Sequence, residues 1–287
     1  MTVKMHYNTI DLLEKHEQIF DLTDRVGIVT GGAGKMGREF AKVLSFAGAS
    51  VVLADIDKEG CQEAADSISK HTGGNVLGLP CDVSSKKNIH NLFSVVESEF
   101  GGLDFLVNNV IAKPEGYYQS FDKYKVETWD EVLQTNLTGV FLTCQAAVNL
   151  MKRSNGGSIV NTASIYGVVA PDQRVYDKCL PEHNPYGGEH ALNIPGVYSA
   201  SKGGLISFSR YLAVSCAEYN IRVNILTPGG VYDGQEESFH KEYIKRVPLG
   251  RMAVWSDYNG AILFLVSDAS RYMTGANLKV DGGWTAW

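Results

Sequence analysis

A tyrosine and a lysine four residues apart, Tyr198 and Lys202, are the pair in this 287-residue chain whose types and spacing best suit acid–base chemistry. Side chains four apart in a helix lie on one face, one turn from each other. A tyrosine has an unperturbed pKa of about 10, and a nearby positive charge favours the phenolate. The pair therefore predicts that Tyr198 is a general acid or base and that Lys202 lowers its pKa.

A dinucleotide-binding pattern precedes this pair and gives it a context. The apolar run Val26–Thr30 predicts a buried strand, and it leads into the glycine-rich turn Gly31–Gly37 and a predicted helix, Arg38–Phe46. A second apolar run, Ser50–Ala54, ends at Asp55. Glycines at such a turn let the backbone approach a pyrophosphate at the start of the helix. The order of strand, glycine turn, helix, strand and acid is typical of a dinucleotide-binding βαβ unit.

Two residues bear on which dinucleotide binds. A carboxylate at Asp55 would accept hydrogen bonds from the adenosine ribose hydroxyls and would repel a 2'-phosphate, which favours NAD over NADP. Lys35 argues the other way, because its ammonium could reach a phosphate. We expect NAD as the cofactor.

Composition limits the classes of partner. With 44% hydrophobic residues the chain can bury one large core, and its net charge of -6 provides no broad basic surface for nucleic acid. There is no run of 18 apolar residues and no pattern of a signal peptide at the N-terminus, so we expect a cytoplasmic protein with no membrane partner. The five cysteines form no C-x-x-C pair, and neither they nor the histidines have the spacing of a metal site.

Strand and helix patterns alternate along most of the chain. We predict an N-terminal extension over residues 1–24 and one α/β domain over residues 25–287, with a doubly wound parallel (Rossmann) sheet. Long helices are predicted at about 128–153 and 198–219. The remaining predicted strands are Val76–Leu79, Leu103–Val107, Ser158–Asn161, Arg222–Leu226 and Asn277–Val280.

From about residue 24 to 283 the chain resembles the short-chain dehydrogenase/reductase family. The resemblance rests on Thr30-Gly31, Gly37, Cys81-Asp82-Val83, Val107-Asn-Asn109, Thr135-Asn136-Leu137, Ile159 to Ser164, Tyr198-x-x-x-Lys202, Pro228-Gly229 and Val280 to Trp284. It implies an NAD-dependent enzyme that moves hydride between nicotinamide and a secondary alcohol or ketone.

The resemblance assigns a role to each of four catalytic residues. Ser164 would hold the substrate oxygen while Tyr198 transfers the hydroxyl proton. Lys202 would lower the Tyr198 pKa and bind the nicotinamide ribose, and Asn136 would hold a relay water. The cofactor supplies the hydride chemistry, and the protein aligns the reacting carbons.

The same resemblance implies a set of cofactor contacts. Asp82 and Val83 would contact the adenine, Asn109 the adenosine ribose region, and the segment Pro228–Val231 the nicotinamide amide. The complete expected set is Gly31, Gly34, Lys35, Met36, Gly37, Asp55, Asp82, Val83, Asn109, Tyr198, Lys202, Gly229 and Val231.

Some positions depart from the family pattern. Lys35 stands where the family usually has glycine, and Val110-Ile111 replaces a usual Ala-Gly. Tyr232-Asp233 follows Pro228-Gly229 in the region where the family often has a threonine that binds the carboxamide.

The largest departure is an insert of about 170–195 between Ser164 and Tyr198, which are 34 residues apart. Both anchors of the insert are catalytic, so we expect it beside the active site, although a subunit contact or a surface flap would also explain it. Hydroxyl, amide and cationic groups there suit a polyhydroxylated substrate, or a carboxylate bound by Arg174. The candidate substrate residues, in addition to Ser164 and Tyr198, are Gln173, Arg174, Tyr176, His183, Asn184 and Tyr186.

The leading hypothesis is therefore an NAD-dependent dehydrogenase of a sugar, sugar acid or polyol. A reductase of 3-oxoacyl or other apolar ketones is the alternative within the class, and a non-catalytic NAD-binding regulatory protein is the alternative outside it. The family resemblance also implies a homodimer or homotetramer formed through the two long helices, with Trp284 and Trp287 available to bury across the interface.

Overall fold

All seven strands of the sheet run parallel in the computed structural model, which describes residues 18–154, 156–176, 182, 184 and 191–287. The strands are β1 (Val26–Thr30), β2 (Ser50–Asp55), β3 (Val76–Pro80), β4 (Phe105–Asn108), β5 (Gly157–Thr162), β6 (Ile221–Pro228) and β7 (Asn277–Val280). Their order across the sheet is β3-β2-β1-β4-β5-β6-β7. The predicted doubly wound parallel sheet is confirmed, and the strand order reverses direction between β1 and β4.

Helices cover both faces of the sheet. They are α1 (Lys35–Phe46), α2 (Lys58–Thr72), α3 (Lys86–Phe100), α4 (Val126–Leu133), α5 (Val140–Met151), α6 (Gly196–Cys216), α7 (Glu237–Ile244) and α8 (Asn259–Val266). One apolar core contains side chains of α3, α5 and α6, and the other contains side chains of α1, α2 and α8. In the described part of the chain, no helix is long and apolar enough to cross a membrane.

Local sequence explains where several helices begin and end. The Asp57 side chain accepts a hydrogen bond from the Gly60 N–H at the start of α2, and Gly73 ends that helix with φ of 72°. Ser85 caps α3 in the same way, and Gly101 ends it with φ of 77°. Serine and aspartate are favoured at helix starts, and glycine adopts the left-handed conformation at helix ends without strain.

The long helix predicted at 128–153 is interrupted. A π-helical segment, Gln134–Gly139, lies between α4 and α5. It contains Asn136, whose side chain is fully buried. Single turns of π-helix are rare and occur frequently at functional sites. The apolar periodicity indicated one continuous helix, because a single extra residue in a helical turn leaves almost no trace in that pattern.

A buried polar network lies behind the carboxyl ends of the central strands. The Asn108 amide donates to Asn161 Oδ1 over 2.9 Å and accepts from Thr143 Oγ1 over 2.8 Å. The Asn161 amide donates to Ser209 Oγ over 2.8 Å. Buried amides are costly unless they are hydrogen-bonded. The network therefore fixes β4, β5, α5 and α6 relative to one another, at the edge of the sheet where ligands bind in such folds.

Both ends of the described chain pack on the domain. The Leu22 N–H donates to the Ala47 carbonyl over 2.8 Å, and the Leu22 side chain is buried. Trp284 is buried within its own chain, where it stacks on Tyr243 with ring centroids 4.4 Å apart. Trp284 was expected to be available for a subunit interface, but it is already buried within its own chain. Trp287 is 80% exposed.

Candidate active site

A cavity of about 650 Å³ opens at the carboxyl ends of β1, β4, β5 and β6. Ser164 follows β5, and Tyr198 and Lys202 lie on the first turns of α6. The structure brings these three catalytic candidates together with most of the predicted cofactor residues. The predicted residues that line the cavity are Gly31, Gly34, Lys35, Met36, Asp55, Asn109, Ser164, Tyr176, Tyr198, Lys202, Gly229 and Val231.

Tyr198 and Ser164 form the proton-transfer end of the cavity. Burial raises the pKa of Tyr198, and a hydrogen bond from Ser164 lowers it. Ser164 itself is buried, and its Oγ accepts a hydrogen bond from the Tyr166 N–H over 3.2 Å, which leaves the hydroxyl proton to donate. Ser164 is thus fixed between its own turn and the phenol.

Lys202 lies behind the tyrosine. Its Nζ donates to the Thr162 carbonyl oxygen over 2.8 Å and is 5.9 Å from the centroid of the Tyr198 ring. Burial lowers the pKa of Lys202 to about 8. The group whose hydrogen bond lowers the Tyr198 pKa in this structure is Ser164, and the same effect expected of Lys202 stays a prediction.

Asn136 does not line the cavity but supports it from behind. Its Oδ1 accepts from the Ala112 N–H over 2.8 Å, and its Nδ2 donates to Ser201 Oγ over 3.4 Å. Ser201 in turn donates to the Tyr198 carbonyl over 2.8 Å. The π-helical segment therefore joins the loop after β4 to the catalytic helix, and the relay water assigned to Asn136 stays a prediction.

The glycine-rich turn has the shape that a dinucleotide pyrophosphate requires. Gly31 has φ of 66°, which only glycine adopts readily, and a Cβ on Gly37 would collide with the Gly31 carbonyl oxygen. Gly34 directly precedes α1, so the positive end of that helix faces the cavity. The residues present fit a nicotinamide dinucleotide.

The two residues that bear on the choice of dinucleotide have separate partners. Asp55 Oδ2 accepts from the Ala33 N–H over 3.0 Å, which holds the carboxylate against the glycine-rich turn. Lys35 forms an ion pair with Asp233, in the loop that follows β6. The Lys35 ammonium, which could have bound a 2'-phosphate, is thus paired with a carboxylate. Lys35 and Asp233, which both depart from the family pattern, therefore contact each other.

Several predicted site residues lie elsewhere. Asp82 and Val83 do not line the cavity: Asp82 accepts from Ser84, and Val83 is buried in the core. Gln173 lines a separate groove and donates to the Ile194 carbonyl over 2.7 Å. Arg174 is exposed, forms an ion pair with Asp172 and does not line the cavity. Gly37 and Asn184 are also absent from the cavity lining, and His183 and Tyr186 lie outside the described residues.

The substrate end of the cavity is aromatic, and of its aromatic residues only Tyr176 and Tyr198 were predicted from the sequence. Tyr166 Oη and Tyr176 Oη are hydrogen-bonded at 3.0 Å, and burial raises the pKa of Tyr166 to about 12, so this phenol is neutral near pH 7. Further residues that line the cavity are Lys113, Tyr117, Tyr118, Tyr166, Leu192, Ile194, Gln235, Phe239, Tyr243, Met252 and Trp255. One signal was present: Lys113, Tyr117 and Tyr118 follow β4, and ligands bind beyond the carboxyl ends of parallel strands.

Comparison with known proteins agrees with the fold. Residues 25–176 match the family model described as short chain dehydrogenase, and residues 184–285 match one described as enoyl-(acyl carrier protein) reductase. The chain belongs to the short-chain dehydrogenase/reductase family. It is an oxidoreductase that acts on alcohol and ketone groups with a nicotinamide cofactor.

The similar proteins differ in their substrates. The chain is 34% identical over 261 residues to 3-oxoacyl-[acyl-carrier-protein] reductase of Homo sapiens, with 91% of this chain and 98% of that protein covered. It is 32% identical over 275 residues to D-threitol dehydrogenase of Mycolicibacterium smegmatis, with 93% and 95% covered. A solved short chain dehydrogenase from Leptospira borgpetersenii with bound NAD+ is 30% identical, has a TM-score of 0.77, and covers 99% of this chain and 98% of its own.

Proposed function

We propose that this protein is an NAD-dependent dehydrogenase that transfers hydride between nicotinamide and a secondary alcohol or ketone of a polyhydroxylated substrate. The observation that carries the proposal is the common cavity of Asp55, Ser164, Tyr198 and Lys202. NAD, when bound, accepts the hydride. Asp55 favours NAD because its carboxylate repels a 2'-phosphate.

The chain's own groups perform the proton transfer. In the direction of oxidation, the Ser164 hydroxyl holds the substrate oxygen, and the Tyr198 phenolate removes the hydroxyl proton. In the direction of reduction, Tyr198 returns the proton. Lys202 is fixed by Thr162 at the back of the cavity and keeps a positive charge close to the phenol.

The side chains that line the substrate end of the cavity favour a cyclic or linear substrate with several hydroxyl groups. Tyr166 and Tyr176 present phenolic oxygens beside apolar ring faces. Such side chains combine apolar surface with hydrogen-bonding groups. The similarity to a protein named D-threitol dehydrogenase also favours a substrate with several hydroxyls.

A second candidate is reduction of an apolar or 3-oxoacyl ketone. Leu192, Ile194, Phe239 and Met252 provide an apolar part of the cavity wall, and a similar protein is named as a 3-oxoacyl reductase. A third, of another class, is a regulatory protein that binds NAD without turnover.

The deciding experiment measures NADH formation from NAD with sugars, sugar acids and polyols, and NADH consumption with 3-oxoacyl and cyclic ketones. Tyr198→Phe is the blank, since it removes the proton-transfer group alone and should lower kcat by about a thousandfold or more. Its NAD affinity, measured by calorimetry, should match that of the wild type. Preference for the ketones would favour the second candidate, and Tyr198-independent turnover would contradict the assignment of the base.

We further propose that the protein is a cytoplasmic homo-oligomer. Phe141 on α5 and Tyr211 and Val214 on α6 expose 43%, 69% and 82% of their surface. Apolar side chains on two adjacent long helices are typical of a protein interface. Light scattering that finds only a 31.3 kDa monomer would contradict this proposal.

A further inference from the structure

Two tyrosines at the substrate end of the cavity form a hydrogen-bonded pair to which the proposed proton transfer assigns no role. The phenolic oxygens of Tyr166 and Tyr176 are 3.0 Å apart, and both side chains line the cavity together with Ser164 and Tyr198. Tyr166 is 6% exposed and Tyr176 is 7% exposed. The pair is therefore part of the cavity wall and is shielded from bulk solvent.

Tyr166 belongs to the turn that carries the catalytic serine. It lies two residues after Ser164, and its N–H donates to Ser164 Oγ over 3.2 Å. Its ring packs edge-on against Trp284 with ring centroids 6.3 Å apart, and Trp284 in turn stacks on Tyr243 of α7. The phenol of Tyr166 is therefore held at a fixed place relative to Ser164.

Tyr176 comes from the insert and is held through contacts with α7 and the residues that follow it. Its ring packs on Phe239 of α7 with centroids 5.2 Å apart. Asp172 caps the short helical turn that precedes Tyr176, and its Oδ2 accepts from Arg246 Nε over 2.8 Å. The described start of the insert is thereby attached to the end of α7, which fixes Tyr176 beside Tyr166.

The two phenols together have one proton more than their mutual hydrogen bond uses. Burial raises the pKa of Tyr166 to about 12 and raises the pKa of Tyr176 well above its usual value, so both phenols are neutral near pH 7. One O–H donates to the other oxygen, and the second O–H is left to donate elsewhere. Among the described residues, neither phenolic oxygen has a further hydrogen-bond partner. A buried donor without an acceptor costs free energy, which an oxygen of a bound ligand recovers.

The reacting oxygen of the substrate is already held by Ser164 and Tyr198 in the proposed chemistry. We propose that the Tyr166–Tyr176 pair donates a hydrogen bond to a second oxygen of the substrate, so that the substrate is a diol, a hydroxyketone or another alcohol that has a further oxygen acceptor. This inference rests on the proposed dehydrogenase function and deepens it, because it makes the pair a determinant of substrate specificity.

The test uses compounds that share one carbon skeleton and differ in a second oxygen: cyclohexanol and the three positional isomers of cyclohexanediol, each as separate cis and trans forms. Each is titrated by calorimetry into NADH-loaded protein and assayed for NADH formation from NAD, with Tyr198→Phe as the blank. The proteins are the wild type, Tyr166→Phe, Tyr176→Phe, the double variant and the control Tyr272→Phe, which changes a fully exposed tyrosine. Phenylalanine keeps the ring and removes the hydroxyl, and thermal unfolding verifies that each variant is folded.

For the wild type we expect at least one diol to bind about 5- to 20-fold more tightly than cyclohexanol, as a hydrogen bond to a buried donor provides. The double variant should lose this advantage with NADH affinity unchanged, whereas Tyr272→Phe should keep it. The single variant at the phenol that contacts the ligand should lose the whole advantage, and the variant at its partner should lose a part.

Three results would overturn the inference: diols that bind no more tightly than cyclohexanol, an advantage that survives in the double variant, or a parallel loss of NADH affinity, which would place the pair at the cofactor. The proposed function fails separately. A phenol-dependent advantage in binding without NADH formation from any alcohol would contradict the dehydrogenase and leave the binding site. Tyr198-dependent oxidation of cyclohexanol and of every diol with equal kcat/KM would leave the dehydrogenase and remove the role of the pair.

Discussion

The ammonium of Lys202 donates a 2.8 Å hydrogen bond to the carbonyl oxygen of Thr162, at the last residue of β5. A cation on the catalytic helix is thereby attached to the central sheet and is only 4% exposed. Its lowered pKa reflects the cost of keeping a positive charge there.

Replacement of Lys202 by methionine should change how stability depends on pH. Between pH 8 and 10.5 the folded wild type has released the Lys202 proton while the unfolded chain still binds it, so the free energy of unfolding rises with pH in that window. The free energy of unfolding of the wild type, relative to that of Lys202→Met, should therefore increase by about 2 kcal/mol from pH 7.5 to 9.5. Urea unfolding at both pH values measures the shift, and Lys42→Met, which changes an exposed lysine on α1, should show none.

The serine beside the catalytic phenol should control the pH at which the enzyme oxidises alcohols. Ser164→Ala removes the hydrogen bond that lowers the Tyr198 pKa, so the phenolate forms only at higher pH. The rising limb of kcat/KM against pH should move upward, and the rate should fall about a hundredfold or more because the substrate oxygen loses its donor. Ser215→Ala, which changes a hydroxyl on the outer surface of α6, is the control. An unshifted limb would mean that another group is titrating.

The carboxylate at the end of β2 should decide between the two dinucleotides. Asp55→Asn keeps an oxygen that can accept from the Ala33 N–H but removes the charge that repels a 2'-phosphate. The ratio of kcat/KM for NAD to that for NADP should fall by roughly ten- to a hundredfold. Asp66→Asn, at an exposed position on α2, should leave the ratio unchanged. An unchanged ratio in Asp55→Asn would count against Asp55 as the selective group.

The glycine-rich turn should tolerate no side chain at its last glycine, Gly37. A Cβ at Gly37 meets the Gly31 carbonyl oxygen, so Gly37→Ala must displace the turn that approaches the pyrophosphate. We expect NAD affinity, measured by calorimetry, to fall about tenfold or more. Gly260→Ala on α8 is the matched control, because a Cβ there meets no atom within 4 Å. Full NAD affinity in Gly37→Ala would show that the cofactor does not approach this turn.

The sequence by itself determined the fold class and the catalytic candidates. Buried parallel strands are short apolar runs, the glycines of the turn are required by backbone geometry, and Tyr198 and Lys202 are one helical turn apart, so each of these signals is local. The π-helical segment around Asn136 left no local signal, although it joins the loop after β4 to the catalytic helix.

Only the tertiary structure decided which polar residues meet. Arg174 was expected at the substrate but pairs with Asp172, which is two residues away in the chain. Lys35 and Asp233, nearly 200 residues apart in sequence, contact each other across the cavity because β1 and β6 end at the same edge of the sheet. Lys113, Tyr117 and Tyr118 line the same cavity as the catalytic residues for the same reason. Side-chain partners depend on strand order and loop path, which involve distant parts of the chain and cannot be derived from local spacing.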